Sequence, residues 1–578
     1  MDPVVVVGAG PVGQTTALLL AKWGVPSVLL DRRPGRDVVG SRAICQQRDV
    51  LDVWASVGAG EQIAAEGVTW TTARTFHGDR ELFDQTFADA GRSPFPPFVN
   101  LSQARTEEIL DERIAAEPLV DLRWDSEVLD VGPDGTVRLA RGELRAPFVV
   151  LCSGSGGGLR ERLGVAFEGR SFDDRFLICD IRVDLPGWAT ERRFFFDPVW
   201  NPGRQVLIHP CPDSTFRIDW QVPPDADLSP EAVDARIRAI VGDRPYELVW
   251  TSVYRFHSRC ADRFRVGRVL LAGDAAHLVS PFGARGLNSG VADAENAAWK
   301  IAHVGRGWAG EGLLESYHHE RHAAARENIA VTTATMDFLV PPDAARAARR
   351  ADVLARAVDD LSARAEVDSG RLAEPFWYAD SPLTTPDPTR SFAGRPPRGA
   401  LPAPGPGVLL PDVSVRLRRP CADNGVPTPL SAHDPVRLRQ LARAGVLVLV
   451  LPAADLAAAH RAADAVDAPV QVHRTAELDP DGGLVAALAA RPGEVWVVRP
   501  DAHVAAVLTG PDAETLATAL RRALGDGRAL GDVGGREGVP DDAVPGEDRR
   551  TPHDSAPAGA VPHHPQRSPS VTADRGGA

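Results

Sequence analysis

Short runs of β-branched and aliphatic residues alternate with amphipathic stretches along this chain. Val4-Val5-Val6-Val7 predicts a buried strand, Thr15 to Ala21 opens an apolar helix, and Val28-Leu29-Leu30 returns as a second strand. Arg48–Val57 is amphipathic. Residues 68–100 read as strands and turns carrying Phe76, Phe83, Phe87, Phe95 and Phe98. A helix follows from Leu101 to Ala116, with Ser102 as its N-cap; Arg105 stands where a full capping box would place an acid. Residues 120–151 alternate like hairpins and end in Phe148-Val149-Val150-Leu151. Phe176–Val183, Arg192–Phe196, Gln205–His209, Thr215–Gln221 and Glu247–Phe256 predict a second, mostly antiparallel sheet, with a short helix over 230–241.

The buried-strand pattern returns at Arg268-Val269-Leu270-Leu271-Ala272. Helices follow from Leu287 to Val304 and over 312–337. Val446–Leu451 and Val495–Val498 are buried strands of a later α/β unit, with helices at Leu456–Val466 and Ala513–Leu524. These changes divide the chain into a discontinuous unit (1–75, 101–170 and 260–340), a β-sheet unit (76–100 and 171–259), a helical and irregular connector (341–404), a small α/β unit (405–525) and a tail (526–578). The tail has almost no large apolar residues and predicts disorder.

Composition narrows the class. A chain of 578 residues exceeds what one core supports, and 44% apolar with 25% charged residues is globular. The formal charge of −14 argues against nucleic acid or an anionic membrane as a general partner. Six scattered cysteines, Cys45, Cys152, Cys179, Cys211, Cys260 and Cys421, form no C-x-x-C pair, so a reduced, cytoplasmic protein without a metal site is expected. The N-terminus does not have the pattern of a signal peptide, and no apolar run is long enough to span a bilayer.

Two stretches carry chemistry. The first is Gly8-Ala9-Gly10-Pro11-Val12-Gly13 between the first strand and helix, with Asp31 closing the second strand. This strand–glycine loop–helix–strand–acid unit binds a dinucleotide. Gly8 makes the turn, Gly10 admits the pyrophosphate, Gly13 lets the helix pack, and Asp31 accepts from a ribose hydroxyl. The helix N-terminus offers free N–H groups. The unit leaves NAD and FAD equally open.

The second is Gly267 to His277, continuing as Ser280-Pro281-Phe282-Gly283-Ala284-Arg285-Gly286-Leu287-Asn288-Ser289-Gly290. A buried strand ends at the Gly273-Asp274 turn, and a glycine-rich loop feeds a helix N-terminus. Asp274 can accept from a polyol or serve as a cap, and the helix end suits an electron-rich group that gains charge on reduction.

On these motifs the chain resembles the class A FAD-dependent aromatic hydroxylases, the p-hydroxybenzoate hydroxylase-like family, in its 3-(3-hydroxyphenyl)propionate and phenol hydroxylase-like branch. The resemblance covers roughly residues 1–400, with a C-terminal thioredoxin-like extension beyond. It implies a Rossmann-like α/β FAD-binding domain, an interleaved antiparallel β-sheet substrate domain, and that extension. Gly8, Gly10 and Gly13 match the ADP-binding loop, with Pro11, Val12 and Arg32 beside it. Asp31 stands where the family usually has Glu. Arg42 matches an arginine near the flavin, and Gln103 and Arg105 match a helix start that touches FAD. Gly273 and Asp274 match the turn whose carboxylate holds the ribityl chain. Pro281 matches a proline beside the reacting flavin edge, and Gly286, Leu287 and Asn288 match the loop whose amides bind the pyrimidine side.

Ser153, in Cys152-Ser153-Gly154, departs from the family's Asp, which is implicated in FAD and NAD(P)H handling. One charge-assisted hydrogen bond is worth about 1.5–3 kcal/mol. FAD binding is therefore expected to survive, while reduction by NAD(P)H is the step it touches. The implied reaction uses NAD(P)H and O2 to hydroxylate a phenolic or polycyclic aromatic substrate through a flavin C4a-hydroperoxide.

A base in the substrate cavity would activate the phenol. His209, Tyr254 and His257 are the candidates, with a satisfied sheet residue as the other reading of each. Arg285 reads as a solvated or structural charge, with attraction of an anionic substrate or nicotinamide phosphate as its functional alternative. A second G-x-G-x-x-G for NAD(P)H is absent from the sequence.

The C-terminal unit has Arg499-Pro500-Asp501, with Ala502 where the family has Gly, and lacks the C-x-x-C of dithiol exchange. A structural or dimer-forming role is left for it, and a homodimer stays open. The competing readings are a flavoenzyme of another type (epoxidation, Baeyer–Villiger oxidation or dehydrogenation) and a non-catalytic FAD-binding partner protein.

Overall fold

The computed structural model describes residues 1–36, 43–87, 93–156, 158–397, 400–417, 435–479 and 481–526. All of these fall within one compact unit, Met1–Asp532. Arg42, Cys421 and the tail from 527 onward lie outside the described residues.

The N-terminal pattern builds a six-stranded sheet in the order Arg265–Val266, Val269–Leu271, Val149–Leu151, Val4–Val7, Ser27–Leu30, Val120–Arg123. All are parallel except the first, which runs antiparallel to its neighbour. Helices cover a parallel sheet on both faces, which is why its central strands are continuous apolar runs. Val4–Val7, Val149–Leu151 and Val269–Leu271 are buried throughout. Of the residues expected to form hairpins, Val120–Arg123 joins this sheet. Val128–Val131, Thr136–Leu139 and Glu143–Arg145 form a separate antiparallel sheet.

The second sheet has eight strands, in the order His277–Leu278, Glu247–Ala261, Phe167–Arg182, Thr215–Val222, Gln205–Cys211, Glu191–Phe196, Thr72–His77, Arg80–Thr86. Side chains alternate across it. Leu177, Cys179, Ile181, Ile208, Phe216, Ile218 and Trp220 pack on one face against the helix Pro230–Val241. Ser229 caps that helix by accepting from the Ala232 amide at 3.3 Å. The opposite face looks into the cavity described below.

Three expected unit boundaries fall inside strands and are corrected. The strand Thr72–His77 crosses 75/76, Phe167–Arg182 crosses 170/171, and Glu247–Ala261 crosses 259/260. Phe98–Asn100 pairs with Cys45–Gln47 and Val68–Thr69 rather than with the eight-stranded sheet. The connector is also more than a connector. Its helix Ala344–Ala357 buries Val353 and Leu354 with Phe196, Leu82 and Met336. Its next segment returns to the cavity, where the Ala373 amide donates to the Gly283 carbonyl at 2.7 Å and Leu372 forms part of the wall.

The C-terminal unit has the thioredoxin-like order Val470–Arg474, Val446–Val450, Glu494–Val498, Val504–Thr509. The first pair is parallel and the rest antiparallel. Val446, Val448 and Val450 face one core with Leu516 and Leu520, and Leu447 and Leu449 face another with Trp496. Burial on both faces explains the unbroken apolar run. No helix among the described residues is long and apolar enough to cross a membrane.

Candidate active site

The two chemical stretches, 260 residues apart in sequence, meet in space. A Cβ at Gly290 would stand 2.6 Å from Val12 Cγ2, and one at Gly273 would stand 3.1 Å from the same atom. Above this contact lies a cavity of about 860 Å³. At one end it is lined by Gly8, Gly10, Pro11, Val12, Asp31 and Arg32, along its length by Gln103, Ser153, Gly273 and Asp274, and at the loop by Pro281, Gly286 and Leu287. His209 and Tyr254 line it from the eight-stranded sheet.

Gly8 has a φ of +104°, the region that favours glycine, and a Cβ there would meet the Cys152 carbonyl oxygen at 2.4 Å. A Cβ at Gly13 would stand 1.9 Å from the Gly8 carbonyl oxygen. A Cβ at Gly10 meets nothing within 4 Å and would project into the open cavity. Neither the helix Pro11–Lys22 nor the helix Arg285–Gly305 has a side-chain cap at its N-terminus. Their free N–H groups and positive dipole ends therefore face the cavity from both sides. This donor set fits an elongated dinucleotide anion.

Asp31 is already engaged. It accepts from the Ala9 amide at 2.8 Å and from Arg33 Nε and Nη2, each at 3.0 Å. Burial opposes its ionisation, but the bonds from Arg33 and Ala9 outweigh that and hold the carboxyl below its usual range.

Four expected positions do not line the cavity. Arg105 is engaged in an ionic cluster with Glu66 (2.7 Å), Glu108 (3.0 Å) and Glu112 (3.2 Å) and does not line the cavity. Asn288 uses its side chain inside the fold, accepting from the Gln47 amide at 3.0 Å and donating to the Cys45 carbonyl at 3.0 Å. His257 lies outside the cavity lining, with Nδ1 2.7 Å from Ser171 Oγ. Gly13 packs against Gly8, as its packing role required. Arg285, expected as a solvated or structural charge, is only 2% exposed and is therefore not solvated. It donates to Asn328 Oδ1 (2.6 Å) and to the Arg371 and Leu372 carbonyls (3.2 and 3.0 Å), tying the returning segment to the helix start. Burial, then repulsion from Arg395, lowers its pKa to about 10.

The sheet face holds residues that the sequence reading did not single out. Arg192, Arg217, Asp219 and Trp250 line the cavity beside Phe176, Ile178 and Leu207. For Arg217 and Asp219 the signal was present as charges at alternate positions between Phe216, Ile218 and Trp220. Arg217 is locked to Asp180 by two parallel bonds of 2.8 Å. His209 is held well below its usual pKa, first by burial and then by Arg192 and Arg217, so it is neutral.

The FAD binding domain family matches residues 1–332, and the family described as aromatic-ring hydroxylase, C-terminal, matches residues 404–527. The chain belongs to the FAD binding domain family. Among its relatives, a 3-(3-hydroxy-phenyl)propionate/3-hydroxycinnamic acid hydroxylase of Mycobacterium sp. (strain KMS) is 30% identical over 60% of this chain and 61% of the relative. The 6-methylpretetramide 4-monooxygenase of Streptomyces rimosus is 33% identical over 66% of this chain and 71% of the relative. A crystal structure of aklavinone-11 hydroxylase with FAD and aklavinone superimposes with a TM-score of 0.71 at 25% identity, covering 91% of this chain and all of that one. The chain matches about three-fifths of the length of the first of these relatives.

Proposed function

We propose that the protein is an FAD-dependent monooxygenase that uses NAD(P)H and O2 to hydroxylate a phenolic, polycyclic aromatic substrate. The observation that carries this reading is the continuity of the cavity. It runs from the dinucleotide loop at Gly8–Gly10 to a sheet face bearing Phe176, Leu207, Trp250 and Tyr254. Bound FAD would relay two electrons from NAD(P)H to O2, so that one oxygen atom enters the ring and the other leaves as water.

The chain's own residues bind, orient and exclude water. Gly10 and the Pro11–Lys22 helix end suit the pyrophosphate, Asp31 and Arg32 the adenosine side, and Asp274 the ribityl hydroxyls. The Gly286–Leu287 amides suit the pyrimidine edge, and Pro281 would stand beside the reacting edge. Apolar and aromatic side chains of the sheet suit a fused-ring substrate. The relatives named as 6-methylpretetramide 4-monooxygenase and aklavinone-11 hydroxylase support the polycyclic choice. The described cysteines are all free, which supports a cytoplasmic setting.

The test is anaerobic stopped-flow reduction of the bound flavin by NADH and by NADPH, with and without phenols, followed by oxygenation and product analysis. Phenol-stimulated reduction and a hydroxylated product are expected. Reduction without any oxygenated product would support the dehydrogenase alternative, and absence of reduction would support a non-catalytic flavin protein.

A further inference from the structure

Among the described residues, Asp219 Oδ1 is the only carboxylate oxygen that is buried without a hydrogen-bond partner. Its strand, Thr215–Val222, turns Phe216, Ile218 and Trp220 toward the helix side and Arg217 and Asp219 toward the cavity. Asp219 pairs across the ladder with Leu207 on one neighbouring strand and Ile178 on the other, and both of these apolar side chains also line the cavity.

Other charged and titratable groups lie around it. Asp180, on the strand Phe167–Arg182, matches Arg217 with two bonds. Arg192, on the strand Glu191–Phe196, is buried and donates to the Ser369 carbonyl at 3.5 Å. His209 is neutral, and burial pushes the Cys211 thiol up to about 12, so it is neutral too. Tyr254 lines the same cavity from the strand Glu247–Ala261, and Arg285 lines it from the loop side, its donors engaged. An ionisable group with an unmatched acceptor, set between apolar walls on the substrate side of the cavity, calls for a donor supplied by the ligand.

We propose that Asp219 is the catalytic base that accepts the phenolic proton of the substrate. The assignment rests on the hydroxylase reading above. The phenol O–H bond breaks, a carboxyl O–H bond forms, and the electron pair stays on the phenolic oxygen, where it enriches the ring for oxygenation. When the oxygenated ring loses its hydrogen to water and becomes aromatic again, the carboxyl returns the same proton to that oxygen.

Burial pushes the Asp219 carboxyl up to about 7, against the pull of Arg217 and Arg192 and helped by Asp180. A base works best with its pKa near the operating pH. His209, by contrast, is a weak base.

The experiment uses full-length, FAD-loaded wild type, Asp219→Asn and Asp219→Glu. It measures NAD(P)H oxidation and hydroxylated product against pH with resorcinol, 3-(3-hydroxyphenyl)propionate and the more acidic 4-nitrophenol. Flavin content and thermal melting verify that each variant folds. Wild-type kcat/KM should rise with pH through about 7. Asp219→Asn should lose that limb and about 10²-fold in rate on the two weaker acids. It should lose much less on 4-nitrophenol above neutral pH, where that phenol arrives largely ionised, and Asp219→Glu should recover part of the loss.

If wild type hydroxylates these phenols and Asp219→Asn keeps both the rate and the pH limb, the assignment is overturned and the hydroxylase reading stands. An equal loss on all three phenols, unrelieved in Asp219→Glu, would overturn it in favour of a structural role. If wild type hydroxylates neither these phenols nor a polycyclic phenol such as aklavinone, the hydroxylase reading itself fails, and the assignment with it.

Discussion

Arg499 and Glu320, 179 residues apart in sequence, are joined by two hydrogen bonds in the interior, one of them 2.9 Å from Nη2 to Oε2. Arg499 also binds Asp501, and Lys300 Nζ reaches Glu320 at 2.6 Å. Arg443 adds bonds of 2.6 Å to Asp52 and to Glu295. The thioredoxin-like unit is thus held to the rest of the chain by buried ion pairs rather than by a linker alone. Removing one partner of such a pair leaves an uncompensated buried charge and costs about 3–5 kcal/mol. Arg499→Met should lower the unfolding free energy by that order in denaturant titration. An unchanged midpoint would mean that the contact adds nothing to docking.

The glycines of the first loop should separate by role. Gly13→Ala would drive a methyl group to 1.9 Å from the Gly8 carbonyl oxygen, so low yield and a depressed melting temperature are expected. Gly10→Ala has open space and should fold normally, yet hold FAD weakly because its methyl projects where the pyrophosphate would approach. Flavin fluorescence after gel filtration and a melting curve of the apoprotein distinguish the two effects.

Asp274→Ala and Arg105→Ala form a second contrast. Asp274 borders the cavity and should be needed for flavin retention, so its loss is expected to leave a substantially apo preparation. Arg105 is spent on Glu66, Glu108 and Glu112, and its replacement should leave flavin occupancy within error of wild type. Absorbance ratios of purified protein test both, and full occupancy in Asp274→Ala would remove its assignment to the ribityl chain.

The stability of the FAD-loaded, substrate-free protein should carry the signature of Asp219. Burial raises its pKa from 3.8 to about 7. Between those values the folded state binds more protons at this site than the unfolded state does. Its contribution is therefore present below pH ~4 and lost as pH rises through about 7. Asp219→Asn removes the dependence. The variant should gain on wild type as pH rises, by up to a few kcal/mol at ~1.4 kcal/mol per pH unit, and the two should converge toward pH 4. Parallel stability curves would mean that the carboxyl is not shielded.

Ser153 lines the cavity, at the position where the resemblance implies an Asp. Ser153→Asp should retain or raise the rate of flavin reduction by NAD(P)H in stopped-flow measurements. A fall of tenfold or more would show that the serine is adapted to this enzyme.

The glycine loop, the Gly273-Asp274 turn and the apolar strands were legible because each is a local property. A φ of +104° at Gly8 and a strand buried on both faces leave marks within a few residues. The long strands Phe167–Arg182 and Glu247–Ala261 were found short, because their ends pair beyond the apolar stretch. The directions of Arg105 and Asn288 were not legible, since either side of a helix start satisfies the same motif.

The sequence by itself determined a dinucleotide unit, a second antiparallel sheet and a thioredoxin-like end. Only the tertiary structure decided which charges share the cavity. Arg192 reaches it from one strand, and Arg217 and Asp219 from another, through the register of an antiparallel sheet. A slip of one residue would have turned Arg217 and Asp219 toward the helix Pro230–Val241 instead. Long-range pairing, which no local pattern encodes, leaves Arg217 matched to Asp180 and leaves Asp219 facing the cavity.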